Sequence, residues 1–449
     1  MEREKSHCQG EKGFSRFTIL SMSVVLMATW EALSSTMVSA LVMAVVGALA
    51  TSASLAELSS MYPTAGGQYH STAMLAPGAL RNSLSWAIGW IDTFGWISFA
   101  ASAPFFAATM LQSVIVLNHE SYGMDRWQGT LIYWALVALG TAINIWGSLL
   151  LSIVENVSLI IHVCAFIAIF TVLWVSSPDK HSAGFVFTTF LNSSGWSSDG
   201  IAWSIGMLSS CYKWLVAHTA MIGSDLLNGG MGFVFLVAVL FCMGDMEAAL
   251  NSPTGYPIIE IFRSATGSRA ASSGMAMIVI LTALLATIAL IAAAARMVWS
   301  LAREGVNPKT QLPARAILAT SSVLALLGVV NIGSTTALNA IISLAVLGLQ
   351  ASYLIPIALM LWRRLPPARG TLIYGPWRLG PLGVPFNIVS VLYLSYTTIF
   401  MVLPPYQPVT AENMNYSSLI FGTVLIFSAV YWIRKGRGQY TGPQIRFQN

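Results

Sequence analysis

Charged residues are scarce in this chain. Asp, Glu, Lys and Arg make up only 9% of its 449 residues, against about 25% in an average soluble domain. The mean hydropathy is +0.70, and 56% of the residues are hydrophobic. This composition excludes an ordinary soluble enzyme and a disordered protein. Because the net charge is only +5, nucleic acid is not expected as a partner either.

Reactive and nucleotide-binding motifs are also missing. The four cysteines are too few for a disulfide framework in a chain of this length. No GxxxxGK[ST] loop is present to bind ATP, and there is no HExxH sequence or Cys/His spacing typical of zinc. The sequence therefore predicts no enzyme, no metal and no cofactor.

Long apolar runs dominate the sequence instead. A membrane-spanning helix needs about 20 mostly apolar residues, and a run of 40 residues from Phe17 to Ala56 is long enough for two. Ten further runs follow, at 86–116, 128–147, 153–175, 200–217, 221–243, 272–300, 314–332, 337–362, 384–403 and 416–433. We therefore predict an all-α polytopic membrane protein with about twelve spans and the lipid bilayer as its environment.

Lys and Arg indicate the orientation, because they concentrate in cytoplasmic loops. With a cytoplasmic N-terminus and twelve spans, 18 of the 22 basic residues lie inside. We divide the chain into a cytoplasmic N-terminal tail (1–16), a transmembrane domain (17–433) and a cytoplasmic C-terminal tail (434–449). Two glycosylation sequons, beginning at Asn192 and Asn415, then face outward.

Ionisable residues inside spans are costly and mark functional pathways by default. Glu31 lies midway along the first span, beside the hydroxyls of Ser34 and Ser35. Asp92 and Glu155 lie nearer the predicted ends of the third and fifth spans, where we expect their side chains to reach the interface. The alternative for the small polar residues is helix–helix packing.

A Leu-Ser-Ser triplet occurs in the first predicted span, at 33–35, and again in the sixth, at 208–210. Many transporters repeat a five-helix unit in inverted topology, with a broken helix at the start of each repeat. The two triplets fit that scheme. The triplet also occurs at 58–60, so chance is an alternative explanation.

The segment after the second span carries a more specific signal. Its sequence AELSSMYPTAGGQYH (56–70) resembles the corresponding loop of the amino acid/polyamine/organocation superfamily of secondary transporters, and most closely its fungal GABA/choline permease branch. Similar runs follow in order along nearly the whole chain, namely GWIDTFGW, ENVSLIIHVCAF, ARMVWSLAREG, NIGSTTALNAIISLA, SYLIPI, YGPWRLGPLG and PVTAENMNY.

The resemblance implies a leucine-transporter-type fold, a 5+5 inverted repeat with two extra helices. It also implies proton-coupled uptake of amino acids or related amines by alternating access, most simply at the plasma membrane. The substrate would lie at mid-membrane, where half-helix dipoles can hold charged groups. We assign it Trp30, Glu31, Ser34 and Ser35 from the first span and Ser210, Cys211 and Tyr212 from the sixth. Glu31 and Asp92 are the candidates for carrying the coupling proton.

Three departures from the family pattern leave a second hypothesis open. The Gly-Gly-Pro turn between the first two helices is absent, the acidic segment after the break in the sixth helix is absent, and the loop after Gly305 is short. These gaps predict shortened spans and poor or no transport. The alternative function is accordingly a non-transporting membrane sensor, or a permease with incomplete first, second and sixth helices.

Overall fold

The computed structural model describes residues 38–64, 66–119, 121–147, 151–188, 192, 194–207, 218–305, 313–366, 372–404, 406–411 and 413–442. These residues form helices and connecting loops, with no strand among them. The longer helices are α1 (Val38–Met61), α3 (Arg81–Asn118), α4 (Arg126–Trp146), α5 (Leu151–Ser176), α8 (His218–Cys242), α11 (Arg269–Gly305), α12 (Pro313–Gly333), α13 (Thr335–Arg364), α14 (Gly383–Phe400) and α15 (Ser417–Tyr431).

Shorter helices connect them. In chain order they are α2 (Gly67–Leu75), α6 (Ala183–Thr188), α7 (Asp199–Met207), α9 (Met246–Leu250), α10 (Pro257–Thr266) and, after a π turn at Trp432–Gly436, the single turn α16 (Arg437–Gln439). The pattern of long apolar runs does not predict α2, α6, α9 or α10, because each is too short to resemble a span.

Ten helices of the described residues are long and apolar enough to cross a membrane. They correspond to the second to fifth and the seventh to twelfth predicted spans. The first span, and the part of the sixth beyond Met207, lie outside the described residues. The all-α polytopic prediction is confirmed, while the count of twelve stays a prediction.

The surface and interior of the helices are arranged for a lipid environment. Large apolar side chains such as Leu326 (67% exposed) and Leu392 (65%) point outward, whereas polar residues such as Ser352 and Thr397 are fully buried. A water-soluble protein shows the opposite tendency. This arrangement places the polar side chains of the spans against each other, where they can form sites.

Helix α3 is central to the packing, with α11 and α13 along its length. Small residues allow the close approach of α3 and α13, since a Cβ atom on Gly348 would lie 3.4 Å from the Cα of Gly95. Another face of α3 packs against α15 through aromatic rings four residues apart. Trp86 contacts Tyr431, and Trp90 and Phe94 both contact Phe427.

Candidate functional site

The predicted substrate-binding residues cannot be placed. Trp30, Glu31, Ser34 and Ser35, and likewise Ser210, Cys211 and Tyr212, all lie outside the described residues. Their role stays a prediction. The described helices nevertheless contain buried ionic or ionisable groups at four places, around Asp92, Glu155, Asp225 and Glu57.

Asp92 lies in α3 and is fully buried. Its Oδ1 atom is 3.0 Å from the hydroxyl of Ser352 in α13, while Oδ2 has no hydrogen-bond partner among the described residues. Asp92 is eleven residues from the N-terminal end of α3 and Ser352 is twelve from the C-terminal end of α13, or about 17 Å along either helix. The expectation that Asp92 reaches the interface is therefore wrong.

The same correction applies to Glu155 in α5, which is only 3% exposed. It interacts electrostatically with Arg296 of α11. The two helices pack against each other, so this carboxylate faces a neighbouring helix and not the lipid headgroups. His162, about two turns after Glu155 along α5, is buried as well.

A third buried carboxylate, Asp225 in α8, was not among the residues singled out from the sequence. The rule that selected Asp92 would have found it, since residue 225 lies within the predicted span 221–243. Asp225 interacts with the hydroxyl of Ser52 in α1 without reaching standard hydrogen-bond geometry.

A polar network joins the C-terminal ends of α1 and α13 to the start of α14. Arg364 donates to Glu57 Oε2 and to Asn387 Oδ1. The Asn387 amide donates to Ser54 Oγ at 2.9 Å, and Ser54 lies 3.1 Å from Ser390 Oγ.

The loop between α13 and α14 completes this network. The backbone N–H of Leu379 donates to Glu57 Oε1 at 3.1 Å, and that of Trp377 donates to Ser60 Oγ at 2.9 Å. Two residues of the characteristic AELSSMYP sequence, Glu57 and Ser60, thus anchor this loop to the end of α1.

Comparison with known proteins identifies the family. A family model described as amino acid permease matches residues 14–426, most of the chain. The chain belongs to this family.

Individual permeases and transporters agree with the assignment. An amino acid/polyamine transporter of Macrophomina phaseolina is 32% identical over 398 residues, covering 82% of this chain and 87% of the relative. The choline transporter of Saccharomyces cerevisiae is 28% identical, covering 96% and 82%. Amino-acid permease 2 of Neurospora crassa is 28% identical, covering 88% and 77%.

A solved structure supports the fold. The manganese transporter of Eremococcus coleocola covers 94% of each chain with a TM-score of 0.55, at 11% sequence identity. The permease described here is thus an integral multi-pass membrane transporter of the amino acid/polyamine/organocation type, and not an enzyme.

Proposed function

We propose that this permease takes up amino acids or related amines, such as GABA, choline or polyamines, by proton-coupled alternating access. The names of its relatives support this substrate class, since they include amino-acid permeases, an amino acid/polyamine transporter and a choline transporter. We place the permease in the plasma membrane, as the family resemblance implies. We place both termini in the cytoplasm, following the distribution of Lys and Arg.

The observation that carries the proton-coupling proposal is the environment of Asp92. The Ser352 hydroxyl lies 3.0 Å from Asp92 Oδ1 and 2.8 Å from the carbonyl oxygen of Leu349. A hydroxyl has one hydrogen to donate. Both contacts are hydrogen bonds at once when Asp92 is protonated and donates to Ser352, while Ser352 donates to Leu349.

Deprotonation of Asp92 would change this arrangement. The ionised carboxylate only accepts hydrogen bonds, so it would compete with the Leu349 carbonyl for the single Ser352 hydrogen. It would also carry a charge into a contact where Oδ2 has no partner among the described residues. Two protonation states thus correspond to two hydrogen-bond patterns between α3 and α13. We infer that Asp92 carries a coupling proton.

The substrate site follows the sequence prediction. Trp30, Glu31, Ser34 and Ser35 of the first span, with Ser210, Cys211 and Tyr212 of the sixth, supply a ring, a carboxylate, hydroxyls and a thiol. In this proposal Glu31 balances the ammonium group of the substrate or carries a second proton.

Uptake of radiolabelled amino acids, GABA, choline and spermidine into yeast that lacks its own permeases tests this function. We expect saturable uptake that an uncoupler abolishes. Absence of uptake of every compound, with the protein present in the plasma membrane, would favour the non-transporting alternative.

The role of Asp92 is tested in the same cells. Asp92→Asn is expected to lower uptake driven by a pH gradient about tenfold or more, because the amide imitates the neutral acid and cannot release a proton. The variant therefore lacks the deprotonated state, in which Ser352 would donate to a charged group in a bond worth about 1.5–3 kcal/mol. Asp179→Asn is the matched control, since Asp179 is exposed in a loop. Glu31→Gln is measured alongside. Gradient-driven uptake that Asp92→Asn leaves unchanged would exclude Asp92 as the coupling group.

A further inference from the structure

Asp225 is a buried carboxylate that the proposed transport mechanism does not use. It lies in α8 and is 0% exposed, as are Ser224 and Asn228 on the same helix. It is seven residues from His218, where α8 begins, or about 10 Å along the axis. Asp225 thus lies within the membrane-spanning part of α8, Ile222–Cys242, and the packing around it shields its side chain from solvent.

The carboxylate faces α1, on which it interacts with Ser52. The two helices pack along their length, and further along the contact Leu236 of α8 packs against Val45 of α1. Asp225 is the one Asp, Glu, Lys or Arg of α8, and Glu57, which pairs with Arg364, is the one such residue of α1. The charge state of Asp225 therefore determines the charge that α8 brings to the interface.

The helices packed against α8 offer Asp225 no compensating cation within the described residues. Glu57 of α1 is bound to Arg364. On α5, the titratable groups are Glu155, His162 and the thiol of Cys164, of which Glu155 interacts with Arg296. On α10, Glu260 and Arg263 pair with each other at 3.5 Å. Helix α6 has no titratable side chain.

An ionised carboxylate buried without a cation is strongly unfavourable, and such a group takes up a proton instead. A neutral carboxylic acid can both donate and accept a hydrogen bond, which matches the Ser52 hydroxyl opposite it. We propose that Asp225 is a proton-binding site, that its protonated form joins α8 to α1, and that it releases the proton when the two helices separate.

This proposal concerns the state of one helix interface and does not depend on the substrate of the permease. It predicts that alkaline pH loosens the α1–α8 contact, because a deprotonated Asp225 needs water or a cation that the packed interface does not provide. Failure to observe uptake would leave this proposal standing.

Infrared difference spectroscopy of the full chain in lipid membranes tests it directly. Wild type and Asp225→Asn both contain Asp92 and Glu155, so the bands of those residues cancel in the difference. We expect the carbonyl-stretch band of one protonated carboxylic acid in the wild type at about pH 7, replaced by a carboxylate band at strongly alkaline pH. A carboxylate band at about pH 7 would overturn the proposal.

Thermal unfolding in detergent provides an independent readout. If the folded state holds a proton that the unfolded state releases above about pH 4, stability must fall as the pH rises. We expect this fall to be smaller in Asp225→Asn, whose amide imitates the neutral acid, and unchanged in Asp179→Asn. An equal pH dependence in wild type and Asp225→Asn would contradict the proposal, as would saturable stabilisation by Na⁺ that requires Asp225.

Should Asp225→Asn fail to fold, Ser52→Ala serves as the second variant. Ser52→Ala removes the hydroxyl that this proposal gives the protonated acid as its partner, so the carbonyl band is expected to shift in frequency without disappearing. A band identical to that of the wild type would show that Asp225 does not bind Ser52.

Discussion

Glu57 and Arg364 form an ion pair that is closed off from solvent, with side chains that are 0% and 5% exposed. Glu57 is held on both oxygens, by Arg364 and by the N–H of Leu379. Arg364 also bonds to Asn387 and lies 5.8 Å from the ring of Tyr374. These additional bonds help to offset the desolvation of both charges, which is costly for a buried ion pair.

Removal of one partner should therefore be severe. Arg364→Met leaves Glu57 as an uncompensated buried charge, and we expect a loss of about 3–5 kcal/mol of stability. The matched control is Arg263→Met, which breaks a half-exposed pair with Glu260 and should cost about 0–1 kcal/mol. Chemical unfolding in detergent measures both. Equal losses in the two variants would show that the buried pair contributes no more than the surface pair.

His70 is a second residue whose charge state is restricted by its surroundings. It lies in α2, outside the membrane-spanning helices, and is 8% exposed. Burial, and to a lesser degree the nearby positive charge of Arg81, lower the pKa of His70 below its ordinary value of 6.5. The folded protein thus favours the neutral imidazole.

This lowered pKa predicts a loss of stability in acid. Between the lowered pKa and 6.5, the unfolded state binds more protons than the folded state, so stability decreases as the pH falls through this window. We expect His70→Gln to be less sensitive to pH between about 7 and about 5. His119→Gln, at an exposed position, is the control. The prediction is wrong if the thermal unfolding temperatures of wild type and His70→Gln fall in parallel.

The residue types of these sites could be read from the sequence, but their environments could not. Asp92 and Glu155 were recognised as unusual, yet both were placed at the interface because their helices were predicted to begin five and two residues too late. Polar residues between Arg81 and Ser85 interrupt the apolar pattern at the start of α3, so the apolar run predicts a helix that begins only at residue 86. The pairing of Glu57 with Arg364, more than 300 residues away, has no local sequence signal.

At the scale of elements, the loop between α13 and α14 is fitted closely onto the end of α1. Gly375 lies against the backbone of Ser60, where an added Cβ atom would be 2.0 Å from the carbonyl oxygen. Two further residues of the loop, Trp377 and Leu379, bond to α1 side chains. The loop thus holds α1 and α13 in a fixed relation, beside the Glu57–Arg364 pair.

A single methyl group should disturb this contact. Gly375→Ala forces the loop away from Ser60, and we expect a loss of about 1–3 kcal/mol, as is typical of overpacking. Gly422→Ala in α15 is the control, because nothing lies within 4 Å of its added Cβ atom and alanine favours a helix. A thermal unfolding temperature of Gly375→Ala equal to that of Gly422→Ala would refute the close fit.

The existence of the membrane-spanning helices could be predicted from the sequence, while their lengths could not. Spans were expected to be short where the family turn and acidic segment are missing. Instead α1 has 24 residues and α8 has 25, enough for about 36 Å. The first span and the part of the sixth beyond Met207 lie outside the described residues, so for those two spans the expected shortening stays a prediction. Hydrophobicity alone does not indicate where one helix of a continuous apolar run ends.

At the scale of the whole molecule, the two sequons differ in their surroundings. Asn192 is exposed in the loop before α7. Asn415 is half-buried, and its amide donates to the carbonyl oxygens of Met401 and Leu403. The hydroxyl of Ser417 in the same sequon is buried and bonds to Met401. A glycan on Asn415 would have to break the contacts between the end of α14 and the start of α15.

Both sequons face outward in the proposed orientation, with both termini in the cytoplasm, but only one of them is accessible for glycosylation. We expect a glycan at Asn192, which faces outward and is exposed, and none at Asn415, which is half-buried in a sequon whose Ser417 hydroxyl is buried. Expression in a glycosylating host should show a gel shift that endoglycosidase removes. Asn192→Gln should abolish that shift and Asn415→Gln should leave it.

Cysteine labelling tests the same orientation without relying on glycosylation. In a Cys8→Ser background, an impermeant maleimide added to intact cells is expected to label Ser198→Cys, in the exposed loop after Asn192, and not Gly438→Cys, which is exposed near the C-terminus. The Cys8→Ser protein without an added cysteine is labelled in parallel, which measures the contribution of the remaining native cysteines, Cys164, Cys211 and Cys242. Since 18 of the 22 basic residues lie on one side in this topology, reversed labelling would mean that charge bias does not orient this permease, and the inside and outside of every loop would have to be exchanged.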